Sequence, residues 1–347
     1  MNALRYTFIG QPKVIEQVSV EIEAARREHR QLNHMILYGP PGLGKDLLAA
    51  GIVEAVGAKG HFVHVYGSAI RNIANFNWMP LFDQLDPDPG EHGMDMAGYL
   101  RQPELDTPRV LLVNEAETVA RTCWELLHGA LQPDAEGRRL YSYMHGRPPQ
   151  YCQAWCPPFT MIVITNYLDE LLKNGEAAMD RCPLRLEFVL YGVDELTKIL
   201  GAYADGKGIS VENGVCQAIA QRGKGTPRRA KQLLDLCNNH RVVDDDQSLD
   251  LVHVEAAMHQ AGIEPDGLTD HDLRYMQALA EQPGGTPVGE ERMAGLLQLP
   301  RKMIRTEIEP WLQRQGFATV TTGGRCLTPL GLTRIAKTGR CRRLRLA

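Results

Sequence analysis

The sequence predicts an α/β fold on a parallel sheet, followed by an all-helical module and then by three helices and a hairpin. Short apolar runs bounded by turn residues recur at Met35–Leu37, Phe62–Val65, Val110–Val113, Met161–Ile164 and Leu186–Leu190. Helical patterns such as Asp46–Val56 and Trp124–Leu131 lie between several of them. Largely apolar strands alternating with helices read as a parallel sheet covered on both faces. The pattern changes near Tyr191, after which strand signals stop until Phe317.

From Gly192 to about Ile263 the periodicity is helical, predicting Val193–Tyr203, Val215–Gln221, Pro227–Asn238 and Asp250–Ala261. Glu264-Pro-Asp-Gly267 reads as a turn and a boundary. Beyond it, Asp270–Gln282, Glu290–Leu297 and Met303–Gln315 are predicted helices. Phe317–Val320 and Arg325–Thr328 are predicted strands joined by Thr321-Thr-Gly-Gly324. Three helices and a Gly-tipped hairpin follow the order of a winged-helix module, which binds duplex DNA or protein. The division expected is 1–191, 192–264 and 265–347, the last with a basic tail.

Composition narrows the class. With 347 residues, 44% of them hydrophobic and 23% charged, the chain suits two to three globular domains. No run of about 18 apolar residues occurs, so no membrane partner is expected. Met1–Gly10 holds no secretory apolar run, and the eight cysteines are irregularly spaced. Both features suit reduced thiols and a cytoplasmic location. The net charge of −4 hides an asymmetry: Arg325–Ala347 carries seven Lys/Arg and no acid, leaving 31 basic against 42 acidic residues elsewhere. A basic end on an acidic body suits a local polyanion contact or a solvated tail.

The strongest motif is Gly39-Pro40-Pro41-Gly42-Leu43-Gly44-Lys45, set between a predicted strand and a helix opening at Asp46-Leu47. Glycines let backbone N–H groups converge on phosphate oxygens, the helix N-terminus adds its dipole, and Lys45 adds a charge. These features call for ATP and Mg²⁺. Where a Ser or Thr hydroxyl normally meets Mg²⁺, this chain has Asp46. A second motif, Val110-Leu-Leu-Val-Asn114-Glu115, ends an apolar strand with Asn114 where an Asp would hold the metal, and keeps Glu115 to polarise water. Two readings stay open: a decayed site that binds nucleotide and turns it over weakly, or a transposed one in which Asp46 supplies the carboxylate and Asn114 hydrogen-bonds to it.

With these motifs placed, the chain resembles the RuvB family of AAA+ motors, which drive Holliday-junction branch migration, from about Phe8 to Ile335. The resemblance implies an AAA+ P-loop core, a helical lid and a winged-helix domain. It puts Phe8 and Ile9 of Phe8-Ile-Gly-Gln11 beside the adenine and Asn166 of Thr165-Asn166 at sensor 1. Arg181 falls at the arginine finger inserted into a neighbour's site, although Met179 and Cys182-Pro183 replace the usual flanking Arg and Phe-Gly, so Arg185 stays an alternative. Gly225-Thr-Pro-Arg228 matches sensor 2, where Arg228 touches the γ-phosphate. Gly323-Gly-Arg325 resembles a wing tip whose arginine enters the DNA minor groove. Duplex or branched DNA and further copies of the chain, in a ring of six by analogy, are the implied partners.

The segment 132–158 aligns with the hairpin on which RuvB docks RuvA. Its Arg138-Arg-Leu-Tyr-Ser-Tyr-Met-His145 and Tyr151-Cys-Gln-Ala-Trp155 interleave aromatics and suit a protein partner, RuvA-like or other. Ile70–Gly93 lengthens one connection and matches nothing in the family. Cys152, Cys156 and His145 lack the spacing and second pair of a metal site. Beside the motor, an assembly switch with weak hydrolysis and an adaptor or loader for another DNA complex remain alternatives.

Overall fold

The structure, a computed structural model, describes residues 8–70, 108–133, 139–145 and 150–338. The insertion from 71 onwards, the ribbon turn 146–149 and the tail from 339 lie outside the described residues. Two compact units emerge: Met1–Gly39 with Leu43–Val189, and Pro40–Gly42 with Leu190–Ala347.

The first unit carries α1 (Pro12–Glu28), β1 (Met35–Tyr38), α2 (Lys45–Val56), β2 (Phe62–Tyr66), β3 (Val110–Asn114), α3 (Arg121–Leu131), β4 (Leu140–His145), β5 (Gln150–Trp155), β6 (Thr160–Thr165), α4 (Leu168–Met179) and β7 (Leu184–Glu187). Five strands form a parallel sheet in the order β2-β3-β6-β1-β7. Every residue of β6 is buried, so both faces at the sheet centre are covered, as the unbroken apolar run Met161–Ile164 predicts. Ile36, Leu111, Val113, Met161 and Val163 join Trp124, Leu127, Leu171, Met179 and Cys182 in one hydrophobic core.

The expected strand Leu186–Leu190 is displaced to Leu184–Glu187. The reason is a side chain that imitates a strand: the Gln11 amide donates to Val189 O (2.6 Å) and accepts from Val189 N (3.1 Å). Those two bonds use the backbone groups that ladder pairing would need. Helices α1 and α4 are additional to the expected elements. Helix α1 starts with Pro12 in its first turn and buries Val14, Ile15, Val18, Ile22 and Ala25 along one stripe. The antiparallel ribbon β4–β5 forms where expected, with Leu140 opposite Trp155 and His145 opposite Gln150.

The second unit holds α5 (Val193–Lys207), α6 (Val215–Arg222), α7 (Pro227–Val243) and α8 (Leu251–Gln260), then α9 (Asp270–Ala280) and α10 (Glu290–Leu297). Next comes α11, built of Arg301–Met303, a π-helical stretch Ile304–Ile308 and Glu309–Arg314. Pro310 lacks the N–H that would bond back one turn, and the widened turn before it accommodates the loss. The hairpin β8 (Ala318–Thr321) and β9 (Gly324–Leu327) closes through Thr322-Gly323. Val288 exchanges two backbone bonds with Arg325 (2.9 and 2.8 Å), adding a third edge. A Cβ at Gly324 would lie 2.6 Å from Val288 O, so only glycine admits that approach.

A final helix, α12 (Pro329–Lys337), replaces the start of the expected tail, its N-cap Thr328 accepting from Gly331 N (3.1 Å). Arg334 on α12 bonds Asp266 (2.6 Å) and reaches Glu264 (3.3 Å), fixing the Glu264–Gly267 turn.

His34 supplies a pH-dependent element of the first unit. Its ring is buried, accepts from Met161 N (2.9 Å) through Nδ1 and donates to Leu131 O (3.0 Å) through Nε2, which fixes the neutral form. Burial pushes its pKa down to about 4. The unfolded chain therefore binds the proton first as pH falls. Unfolding free energy measured by urea titration should hold steady above about pH 6.5 and drop by roughly 3 kcal/mol on approaching pH 4. His34→Gln should flatten that slope.

Candidate nucleotide site and winged-helix face

The loop between β1 and α2 takes its shape from three glycines with positive φ: Gly39 (131°), Gly42 (79°) and Gly44 (94°). A Cβ at Gly39 would sit 2.3 Å from Phe188 O. Gly44 begins α2 with no side-chain cap, leaving the first-turn amides for an anion. Lys45 is 4% exposed, and its Nζ donates to Gly39 O (2.7 Å) and to Asn166 Oδ1 (2.9 Å). The structure thus joins the loop lysine to Asn166 at the end of the neighbouring strand β6.

The two altered positions also meet. Asn114 Nδ2 donates to Asp46 Oδ1, and Asn114 Oδ1 accepts from Glu115 N (2.8 Å). Asp46 is exposed in the first turn of α2, where the helix dipole favours a negative charge. Glu115 adopts a left-handed backbone (φ 51°), anchored by its carbonyl accepting from Thr118 N (2.9 Å) and Oγ1 (2.8 Å), while its side chain is exposed. Asp46 and Glu115 offer carboxylate oxygens, and Asn114 an amide oxygen, the hard donors Mg²⁺ takes.

A buried carboxylate outside the predicted site supports this group. Glu117 accepts from Thr165 Oγ1 (2.7 Å), which accepts from Tyr167 N (2.9 Å), while Asn174 donates to Glu117 O (3.1 Å). This chain of bonds fixes the residues on both sides of Asn166. The available signal was an acidic residue between Ala116 and Val119, directly after an apolar strand and its Asn114-Glu115 end.

In the second unit, Arg228 N donates to Gly42 O (3.3 Å), and a Cβ at Gly42 would fall 2.9 Å from Arg228 Cβ. The Arg228 side chain is exposed. Two cations flank it in sequence. Lys224 is buried against the fully buried Asp272 of α9, and Arg229 feels the charges of Asp272 and Glu307. Burial lowers the pKa of Lys224, against the opposing pull of Asp272. Asp272 also accepts from Thr269 N and Oγ1 (both 2.6 Å), closing the capping box of α9.

Comparison with known proteins finds matches in three regions of the chain. Residues 3–76 match the Holliday junction DNA helicase RuvB P-loop domain, 191–264 the RuvB AAA lid domain and 265–336 the RuvB C-terminal winged helix domain. The Holliday junction branch migration complex subunit RuvB of Rickettsia africae is 30% identical over 321 residues, covering 92% of this chain and 85% of that protein. The chain belongs to the RuvB family. RuvB of Lactobacillus helveticus is 28% identical over 324 residues, covering 92% of this chain and 84% of that protein. The Thermotoga maritima RuvB Holliday junction branch migration motor matches over 95% of each chain, with a TM-score of 0.72 at 26% identity. The Aeropyrum pernix ORC2 protein shares the fold at a TM-score of 0.53 and 14% identity, covering 94% of this chain and 92% of that one.

Against the RuvB pattern, Arg181 lies just past α4, its guanidinium donating to Ala177 O, with Nε buried and unpartnered among the described residues. Arg185, the alternative, sits on β7 and pairs with Asp180 at 3.5 Å. Phe8 and Ile9 are half-buried, just before the Gln11 anchor. Buried Cys156 has its thiol pushed up to about 12 by burial, which disfavours the thiolate a metal needs. Among the described residues, no helix is long and apolar enough to cross a membrane.

Arg325, expected at the wing tip, has a side chain that is 11% exposed and turned toward carboxylates of its own module. Nε donates to Glu309 (2.8 Å), a second nitrogen lies 3.5 Å from Glu290, and Tyr275 Oη donates to Glu309 (3.1 Å). Burial opposes its charge, but Glu309 and Glu290 outweigh that and raise its pKa. Two carboxylates within reach, one of them buried, hold the arginine more firmly than water would. Arg325→Ala should therefore act as a stability variant. Chemical denaturation of the winged helix should show a loss of about 2–3 kcal/mol, because Glu309 is left buried without its cation.

Proposed function

We propose that the chain is an ATP-driven motor on branched DNA of the Holliday junction type, working as a ring of copies, six by family analogy. The observation that carries this reading is an assembled phosphate loop, with Lys45 bonded to Asn166 and Asp46 to Asn114, in a chain that aligns with RuvB over 92% of its length. The proposed division is a large ATPase domain (1–191), a lid (192–264) and a winged-helix DNA-binding domain (265–347).

In this reading, Gly39–Leu47 cradle the phosphates of ATP, Lys45 neutralises the β- and γ-oxygens, and Phe8 and Ile9 flank the adenine. Mg²⁺, when bound, neutralises developing phosphate charge. Asp46 and Asn114 hold it as a transposed pair that keeps one carboxylate between them. Glu115 orients the attacking water, Asn166 orients the γ-phosphate, and Arg228 reads it from the lid. Arg181 enters the neighbouring copy's site, so hydrolysis depends on assembly. DNA binding rests mainly on phosphate contacts by the winged helix, which makes it salt-sensitive and tolerant of sequence. The 132–158 ribbon docks a protein, RuvA-like or other.

A second reading, nucleotide binding as an assembly switch with weak hydrolysis, is favoured by one observation. The Asn114 amide is engaged at both ends, by Asp46 and by Glu115 N.

ATPase rates with Mg²⁺ and four-way junction DNA separate the two. For the motor, Lys45→Ala and Glu115→Gln should each slow turnover by about 10²-fold or more. Equal background rates in all three proteins would reject it. For the transposed metal site, Asp46→Thr and Asn114→Asp should each weaken Mg²⁺-dependent nucleotide binding, and the double variant should recover it. Purely additive losses would rule out transposition.

A further inference from the structure

Helix α4 is broken before its end. Gly175 leaves helical geometry (φ −138°, ψ 29°), and the chain re-enters it for one more turn. The cause lies on the facing helix. The buried Trp124 indole of α3 occupies the space a side chain at 175 would need: a Cβ there would stand 2.8 Å from Cδ1, 3.0 Å from Cγ and 3.1 Å from Nε1. The close approach excludes every residue but glycine, and the same wedge displaces the last turn of α4.

Beyond the break, the chain is tied down link by link. Asp180 N bonds Glu176 O (2.9 Å), Arg181 N bonds Ala178 O (3.2 Å) and Cys182 N bonds Met179 O (3.0 Å). Ala178, Met179 and Cys182 are buried in the core that also contains Trp124. The Arg181 side chain rests on Ala177 O, inside the displaced turn. Beside it a cavity of about 370 Å³, lined by Trp124, His128, Gly175 and Ala177, leaves room for the turn to settle elsewhere.

We infer that Trp124, acting through the gap at Gly175, is a positioning residue for Arg181, setting where the arginine stands for a neighbouring copy. The inference rests on the assignment of Arg181 as the finger. Trp124 acts on Arg181 through the backbone of α4.

The test uses full-length protein with Mg²⁺ and junction DNA, reading kcat alongside the affinity for a fluorescent ATP analogue. Gly175→Ala should lower kcat about 10-fold or more, up to the roughly 10³–10⁵-fold that a whole arginine finger contributes, while nucleotide affinity changes less than about 2-fold. Adding Trp124→Leu, which makes room for the new methyl group, should restore most of kcat. Mixing Gly175→Ala with Lys45→Ala copies should also restore turnover, since one brings an intact pocket and the other an intact finger. Mixing it with Arg181→Ala copies should restore none.

If Arg181→Ala abolishes turnover but Gly175→Ala leaves kcat unchanged, the inference falls and the finger stands. If Arg181→Ala has no effect, the finger assignment falls and takes the inference with it. If Gly175→Ala loses nucleotide binding, or Lys45→Ala copies fail to rescue it, the defect is not in the finger and the inference is likewise overturned.

Discussion

The nucleotide site depends on strand order. Because β6 lies directly beside β1, the end of one strand delivers Asn166 to the loop that leaves the other, and a single buried ammonium joins them. Burying Lys45 without partners would be costly, and oxygen acceptors at Gly39 and Asn166 make the arrangement tolerable. The β3–β6 pairing carries the same logic to the next position, presenting Asn114 and Glu115 at the same end of the sheet. Parallel strands with all their C-terminal ends on one side make this convergence possible.

How much of this the sequence disclosed depends on how local each signal was. Apolar strands and the Gly-rich loop were legible because their chemistry is contained in consecutive residues. The Asp46–Asn114 contact was legible as one of two readings, because two motif departures fell at the same expected metal position. Helix α4 was obscured by Asn174-Gly175, which interrupt its period for a reason lying on α3. Helix α12 was read as tail because its charges drew attention from Thr328-Pro329, an ordinary helix start.

Long-range pairings were the illegible part. Gln11 and Val189 are 178 positions apart, and nothing near either one announces that a side-chain amide takes the place of a ladder. Arg325 shows the same limit. A basic residue beside a Gly-rich turn reads as exposed, yet Glu309, 16 positions earlier, turns it into an interior ion pair. Placing a charge outside or inside depends on which opposite charges the fold delivers, and that information is distributed over the whole module.

The Lys224–Asp272 pair has a mechanical meaning. Four residues before Arg228, a salt link shielded from solvent clamps that loop to the first helix of the hairpin-bearing module, and the same carboxylate acts on the charge of Arg229. The loop that carries Arg228 is thereby joined to α9 by a buried charge pair, so a change in the position of one is felt at the other through a short covalent path.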